Sequence, residues 1–170
     1  MHMQIAIISD THLKKNLGQL DYLAAELQNI ALLIHAGDYG AAWVLTYLKN
    51  HFVFMGVWGN NDDDTIKTTL PEKMLLEVGT YKIGVCHGHG VGKTALERAY
   101  ETFIHDSVDI IIFGHSHQPI MSTKKKVLML NPGSLTSKRK ERWFSYILLT
   151  IDPNGLQANL IMKEATPPPH

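Results

Sequence analysis

The sequence predicts an α/β fold in which two mixed β-sheets pack face to face, a β-sandwich flanked by helices. Three observations carry that expectation. Early in the chain, short apolar runs alternate with stretches of helical spacing, the βαβαβ pattern of parallel strands joined by helices. The second half changes to apolar runs joined by tight turns, which are hairpin signals. With 170 residues and 45% hydrophobic content, the chain suits one domain with a substantial core. That domain is expected over 1–164, and the proline-rich end "ATPPPH", 165–170, is expected to fray.

Taken in order, Gln4–Ser9 ("QIAIIS") reads as a buried strand because it is short, apolar and rich in Ile. From Gly18 to Asn29, Leu20, Leu23, Ala24 and Leu27 recur at helical spacing. "ALLIHAGD" holds a second strand, ending at His35 or Ala36. Ala41–Asn50 reads as a helix with Val44, Leu45 and Leu48 on one face, and "HFVFMGV" as a third strand. "KMLLEV" and "YKIGVCH" flank a Gly-Thr turn. A helix from about Lys93 to Asp106 leads into the buried strand "DIIIFG". Two hairpins follow, one around three lysines and one around Pro153-Asn154-Gly155, strong turn chemistry.

Composition narrows the function classes. Lys+Arg and Asp+Glu both number 16, so no global field favours nucleic acid. No stretch approaches the ~20 apolar residues of a membrane span, and no secretory pattern opens the chain. Cys86 is the single cysteine, which suits a reducing cytoplasm. A homo-oligomer is compatible with all of this.

Histidine occurs 10 times, and its clustering is informative. The ends of the predicted buried strands carry one kind of chemistry: "SDTH" with Asp10 and His12, "HAGD" with Asp38, "GNND" with Asn60, "VCHGH" with His87 and His89, "FGHSH" with His115 and His117. In open α/β sheets, ligands bind beyond the carboxyl ends of the strands, so these groups would converge. Carboxylate, imidazole and amide oxygen without thiolate suit Mn, Fe, Ni, Co or Zn. The set is too large for one ion and fits two bridged by a carboxylate. Taken alone, "DTH" would be a helix N-cap and "GNND" a turn. His35 and His51 fit structural or surface roles, Cys86 a core thiol, and Trp43 and Trp58 packing. "TKKKV" and "SKRKER" read as solvated loops, with anion steering the alternative.

Asp-x-His, Gly-Asp, Gly-Asn-x-Asp, His-Gly-His and Gly-His-x-His, in this order, resemble the calcineurin-like metallophosphoesterase superfamily. The short length and "NPGS" (Asn131–Ser134) followed by Arg139 are similar to its small YfcE-type phosphodiesterases. The resemblance implies one metal held by Asp10, His12, Asp38 and His117, and another by Asp38, Asn60, His87 and His115, with Asp38 bridging. It implies two divalent ions, Mn²⁺ foremost, a small phosphate-ester substrate, and a hydroxide activated by both ions. Arg139 is its candidate for substrate binding. The same fold serves as a protein-interaction scaffold in a retromer subunit, and a phosphomonoesterase is a further alternative.

One position departs from the pattern. Many superfamily members carry His at the third position of Gly-Asn-x-Asp, where this chain has Asn61. A neutral amide can donate a hydrogen bond to substrate but cannot supply a proton. His89 is the candidate substitute acid, or a residue that orients a neighbouring ligand. Asp62 matches the motif's last aspartate, while Asp63 and Asp64 are expected to begin a loop. Good leaving groups, as in aryl phosphodiesters, are therefore expected to react best.

Overall fold

The computed structural model describes residues 2–15 and 17–164; the expected fraying of 165–170 lies outside them. Two five-stranded sheets form. The first has the order β10-β9-β1-β2-β3 and the second β4-β5-β6-β8-β7. In chain order the strands are β1 (Met3–Ile8), β2 (Leu32–His35), β3 (Phe54–Gly56), β4 (Lys73–Val78), β5 (Tyr81–Cys86), β6 (Ile110–Ile112), β7 (Ile120–Lys124), β8 (Val127–Asn131), β9 (Phe144–Asp152) and β10 (Gly155–Lys163). The helices are α1 (Leu17–Glu26), α2 (Ala42–His51), α3 (Asp64–Thr69) and α4 (Ala95–Thr102).

Both sheets are mixed, as expected. β1, β2 and β3 run parallel, and β9 joins β1 antiparallel. β5, β6 and β8 are also parallel, with β4 and β7 as antiparallel edges. Strand periodicity assigns the faces. Ile5 and Ile7 of β1 face the core between the sheets, together with Ile34, Ile83, Val85, Ile110, Ile112, Ile147 and Leu149. Ala6 and Ile8 face the opposite way, into a second core with Leu20 and Leu23 of α1, Leu27 just after it, and Val44, Leu45 and Leu48 of α2. Helix α4 covers the outer face of the other sheet through Ala95 and Ala99 against Phe103, Ile111 and Met129. Each fully buried aliphatic side chain is worth roughly 1.5–3 kcal/mol of transfer free energy.

Helix boundaries differ from the sequence reading where capping decides them. α4 starts at Ala95 because Thr94 and Glu97 form a reciprocal capping box, and it ends at Thr102, short of Asp106. α1 ends at Glu26 rather than Asn29. Asp63 and Asp64 do not begin a loop: the Asp63 side chain accepts the Ile66 N–H at 3.0 Å and caps α3, whose first residue is Asp64.

Candidate metal centre

The carboxyl ends of β1, β2, β3, β5 and β6 bring the sequence-predicted residues to one cleft. β1 runs into Asp10 and His12, β2 into Asp38, and β3 into the Gly59–Asp62 turn. From the other sheet, β5 leads to His87 and His89, and β6 to His115 and His117. The sheets meet here through hydrogen bonds. The His115 N–H donates to Asp10 Oδ2 at 2.9 Å, and the Ser134 hydroxyl to the Asp10 carbonyl at 2.8 Å.

Two donor groups result, Asp10/His12/His117 and Asp10/Asp38/His87. Asp10 Oδ1 lies 3.4 Å from His117 Nε2, 3.8 Å from His12 Nε2 and 4.0 Å from His87 Nε2. Asp38 Oδ2 lies 3.2 Å from His87 Nε2 and 3.5 Å from His12 Nε2. Both carboxylates therefore reach both halves of the cleft. Asp10 is the one common to the two groups, a sharing that the resemblance ascribes to Asp38. Asn60 and His115 stand together at the exposed rim, with Asn60 Oδ1 3.0 Å from His115 Nδ1.

The imidazoles are oriented from behind. His87 Nδ1 donates to the Ala36 carbonyl at 2.7 Å, and His117 Nδ1 to that of Ser137. Each therefore turns Nε2 toward the carboxylates, the tautomer in which Nε2 can ligate. His87 Nε2 and Asp10 Oδ1 are buried atoms without a hydrogen-bond partner. Such atoms are costly to bury unpaired, so the donor set fits a cation placed among them.

The electrostatics agree. Burial works to raise the Asp10 carboxyl, but the facing imidazoles of His12, His87 and His117 bring it below the usual range. Burial opposes Asp38 likewise, and His87 and Asn61 pull it well below that range. His87 is moved up despite burial, because Asp38 and Asp10 face it. The two carboxylates thus favour positive charge beside His87 Nε2, which a divalent ion bound there would supply. Burial and the proximity of His87 lower His115 to about 4, leaving it neutral and able to ligate.

The remaining predicted residues are placed as follows. Asn61 donates its side-chain N–H to Asp38 Oδ2 at 2.7 Å and its backbone N–H to Asp38 Oδ1 at 2.9 Å. His89 is half-buried, 5.6 Å from His87, 6.5 Å from His115 and 5.3 Å from Trp58 between ring centroids. Arg139 is exposed, and its charge helps depress His117, whose pKa burial lowers first. Cys86 is a core thiol, pushed up to about 12 by burial. Trp43 and Trp58 are partly buried against the helix-side core. His51 stacks on Tyr47 at the surface.

Sequence reasoning missed the supports. Asp62 is 4% exposed and accepts the N–H groups of Gly59, Tyr39 and Asp38 at 2.7, 2.7 and 3.0 Å. His35 is fully buried: Nδ1 accepts the Gly37 N–H, Nε2–H donates to Thr11 Oγ1, and that hydroxyl donates to the Tyr39 carbonyl. Asn131 donates to the Gly114 carbonyl, so "NPGS" clamps the His115 loop to the Asp10 loop. Arg98, on α4, donates Nε–H to the Gly88 carbonyl at 2.9 Å and fixes the loop between His87 and His89. Nothing in the local sequence marks Arg98, whereas the burial of His35 is consistent with its place at the end of an apolar run.

Two glycines permit the close approach. A Cβ on Gly59 would lie 2.1 Å from Asp38 Oδ1, and one on Gly114 would lie 1.9 Å from Ser9 Oγ.

The family model of the calcineurin-like phosphoesterase superfamily domain matches residues 3–154. A probable metallophosphoesterase of Methanocaldococcus jannaschii is 36% identical over 139 residues, 81% of this chain and 70% of that one. An archaeal phosphodiesterase of known structure superimposes with a TM-score of 0.76 at 23% identity, over 95% of this chain and 100% of that one. Vps29 of Chaetomium thermophilum gives 0.76 at 19% identity, over 98% and 100%. At these identities the two structures establish likeness of fold.

Proposed function

Given that the chain belongs to the calcineurin-like phosphoesterase superfamily, we propose that it is a phosphodiesterase of small esters with good leaving groups, working with two divalent ions in the cytoplasm. The observation that carries this reading is the pair of buried donor atoms without hydrogen bonds, Asp10 Oδ1 and His87 Nε2, 4.0 Å apart among further carboxylate and imidazole donors. Asp10, His12, Asp38 and His117 would hold one ion, and Asp38, Asn60, His87 and His115 the other. When bound, the ions, manganese foremost, supply Lewis acidity and positive charge toward the phosphoryl oxygens.

The chain's own residues do the rest. Asp10 and Asp38 return only part of the ions' charge, and the neutral imidazoles and Asn60 leave the remainder for the anionic substrate. Asn61 steadies Asp38 and carries no proton to give. His89 stands one ring away from His87 and His115, where it can meet an ester oxygen. Arg139 offers an exposed cation on the His117 side. The name of the archaeal structural relative supports the diester over the monoester. No helix among the described residues is long and apolar enough to cross a membrane.

Manganese titration with bis(4-nitrophenyl) phosphate tests the reading. Hydrolysis should rise with metal and disappear in Asp38→Asn. Full metal content and full activity in that variant would overturn the ligand scheme. Metal binding without hydrolysis of any ester would favour a non-catalytic scaffold, and preference for 4-nitrophenyl phosphate a monoesterase.

A further inference from the structure

A cavity of about 360 Å³ lies beside the cleft, lined by Glu72, Lys73, Cys86, Gly88, His89 and Thr102. His89 is the wall it shares with the cleft, since the same ring stands 5.6 Å from His87 and 6.5 Å from His115. An ester bound among those histidines would thus reach the cavity across a single ring. Trp58 lies beside His89, tilted 37° at 5.3 Å, and the Lys67 ammonium sits 5.6 Å from the Trp58 ring centroid. Lys67 also donates to the Asn60 carbonyl, so the wall is anchored to the turn that carries Asn60 and Asn61.

The lining has a chemical preference. His89 Nδ1 is a buried atom with no hydrogen-bond partner. Glu72 has neither a hydrogen bond nor an ion pair among the described residues, whereas Lys73 is engaged by Asp106 and the Thr102 carbonyl. A free carboxylate at the rim accepts N–H donors, the imidazole ring offers a flat π-face, and Cys86 and Gly88 add no charged group to the lining. A flat aromatic heterocycle bearing an amino group meets all of these.

We propose that this cavity is the subsite for the organic arm of the ester, and that it takes an amino-bearing heterocycle such as a nucleobase. The inference rests on the phosphoesterase reading and specifies its substrate class as a nucleotide-type ester. Stacking on His89 and the hydrogen bond to Glu72 would give the arm its affinity, while the phosphoryl group stays with the metal centre.

Calorimetric binding of adenosine 5′-monophosphate and of methyl phosphate to the manganese-loaded protein tests it. Adenosine monophosphate should bind about tenfold tighter or more, a gain of the size that base stacking supplies. Glu72→Gln, an exposed change, and Thr102→Phe, which enlarges a lining side chain at the cavity's expense, should both shrink that ratio. Glu72→Gln should also weaken adenosine monophosphate more than uridine monophosphate, which lacks the amino group. Equal binding of adenosine monophosphate and methyl phosphate, or a ratio unmoved by both variants, would overturn the subsite and leave the phosphoesterase reading intact. Binding of neither compound would remove that reading and the subsite with it.

Discussion

Replacing Asp62 by Ala should cost the protein far more than its short side chain would indicate. Its carboxylate receives three N–H groups, from Gly59, Tyr39 and Asp38, all at 3.0 Å or less and all buried. Each hydrogen bond to a charged group is worth roughly 1.5–3 kcal/mol net. Against this, burial and the nearby charge of Asp38 raise the Asp62 carboxyl above its usual range, so its ionisation is itself opposed by the fold. The lower half of the range applies, and the cleft admits some water to the freed N–H groups. We therefore expect a loss of about 3–5 kcal/mol, a large share of the ~5–15 kcal/mol of a typical domain. Urea denaturation of metal-free protein measures it, and a thermal midpoint lower by roughly 6–20 °C should accompany it. Metal affinity should fall as well, because Asp38 loses the anchor on its own N–H. A loss below about 1 kcal/mol would refute the argument that Asp62 holds the turn.

His35 makes stability depend on pH in a predictable direction. Burial depresses its pKa from 6.5 to about 3, so the folded protein keeps it neutral while the unfolded chain takes up a proton below 6.5. Its contribution is complete above that value and is lost as pH falls toward 3, by about 2 kcal/mol at pH 5. The stability gap between wild type and His35→Gln, from urea midpoints, should narrow by that amount between pH 7 and pH 5; a constant gap would count against it. Gly59→Ala puts a methyl group on Asp38 Oδ1 and should lower manganese affinity about 10–100-fold by calorimetry, the usual range for disturbed ligand support. Unchanged affinity would mean that the Asp38 carboxylate is free to move.

Much of the candidate site was legible because its side chains stand immediately after apolar runs. Asp10, Asp38 and His87 each follow a strand whose burial was evident from composition; parallel pairing of β1 and β2 then brings Asp10 and Asp38 together, and the packing of the two sheets adds His87. Less legible was whatever depends on a partner distant in sequence. Asp62 gains its role from backbone groups 23 and 24 positions away, and Ser134 from a carbonyl 124 positions away. Helix α3 escaped for a different reason. Six residues give too little periodicity to distinguish a helix from a polar turn, and three consecutive aspartates read equally well as a turn or as a cap. The lysine hairpin tip was placed correctly, but nothing in "KKK" announces that Lys125 and Lys126 both adopt positive φ.

Backbone strain gathers where the chemistry does. Asp10, His12, Asp38, His115 and His117 have φ of 55°, 47°, 62°, 71° and 59°, and they make up five of the nine non-glycine residues with positive φ among those described. A left-handed residue other than glycine costs roughly 1–2 kcal/mol. Hydrogen bonds from the Ser134 hydroxyl and the His115 N–H to Asp10, and from the Asp38 N–H to the Asp62 carboxylate, hold these turns in place. The strain is therefore carried by the positions proposed as ligands and offset by their supports. His115 allows this to be isolated, since among the described residues its side chain has a single hydrogen bond, to Asn60 at the rim. His115→Gly and His115→Ala both delete the imidazole, but only Ala keeps a Cβ in the left-handed region. The glycine variant should therefore be the more stable by about 1 kcal/mol, the reverse of the order expected in an ordinary strand or helix. An alanine variant as stable as the glycine one would show that the turn relaxes once the ligand is gone, and that the strain belongs to the histidine and not to the fold.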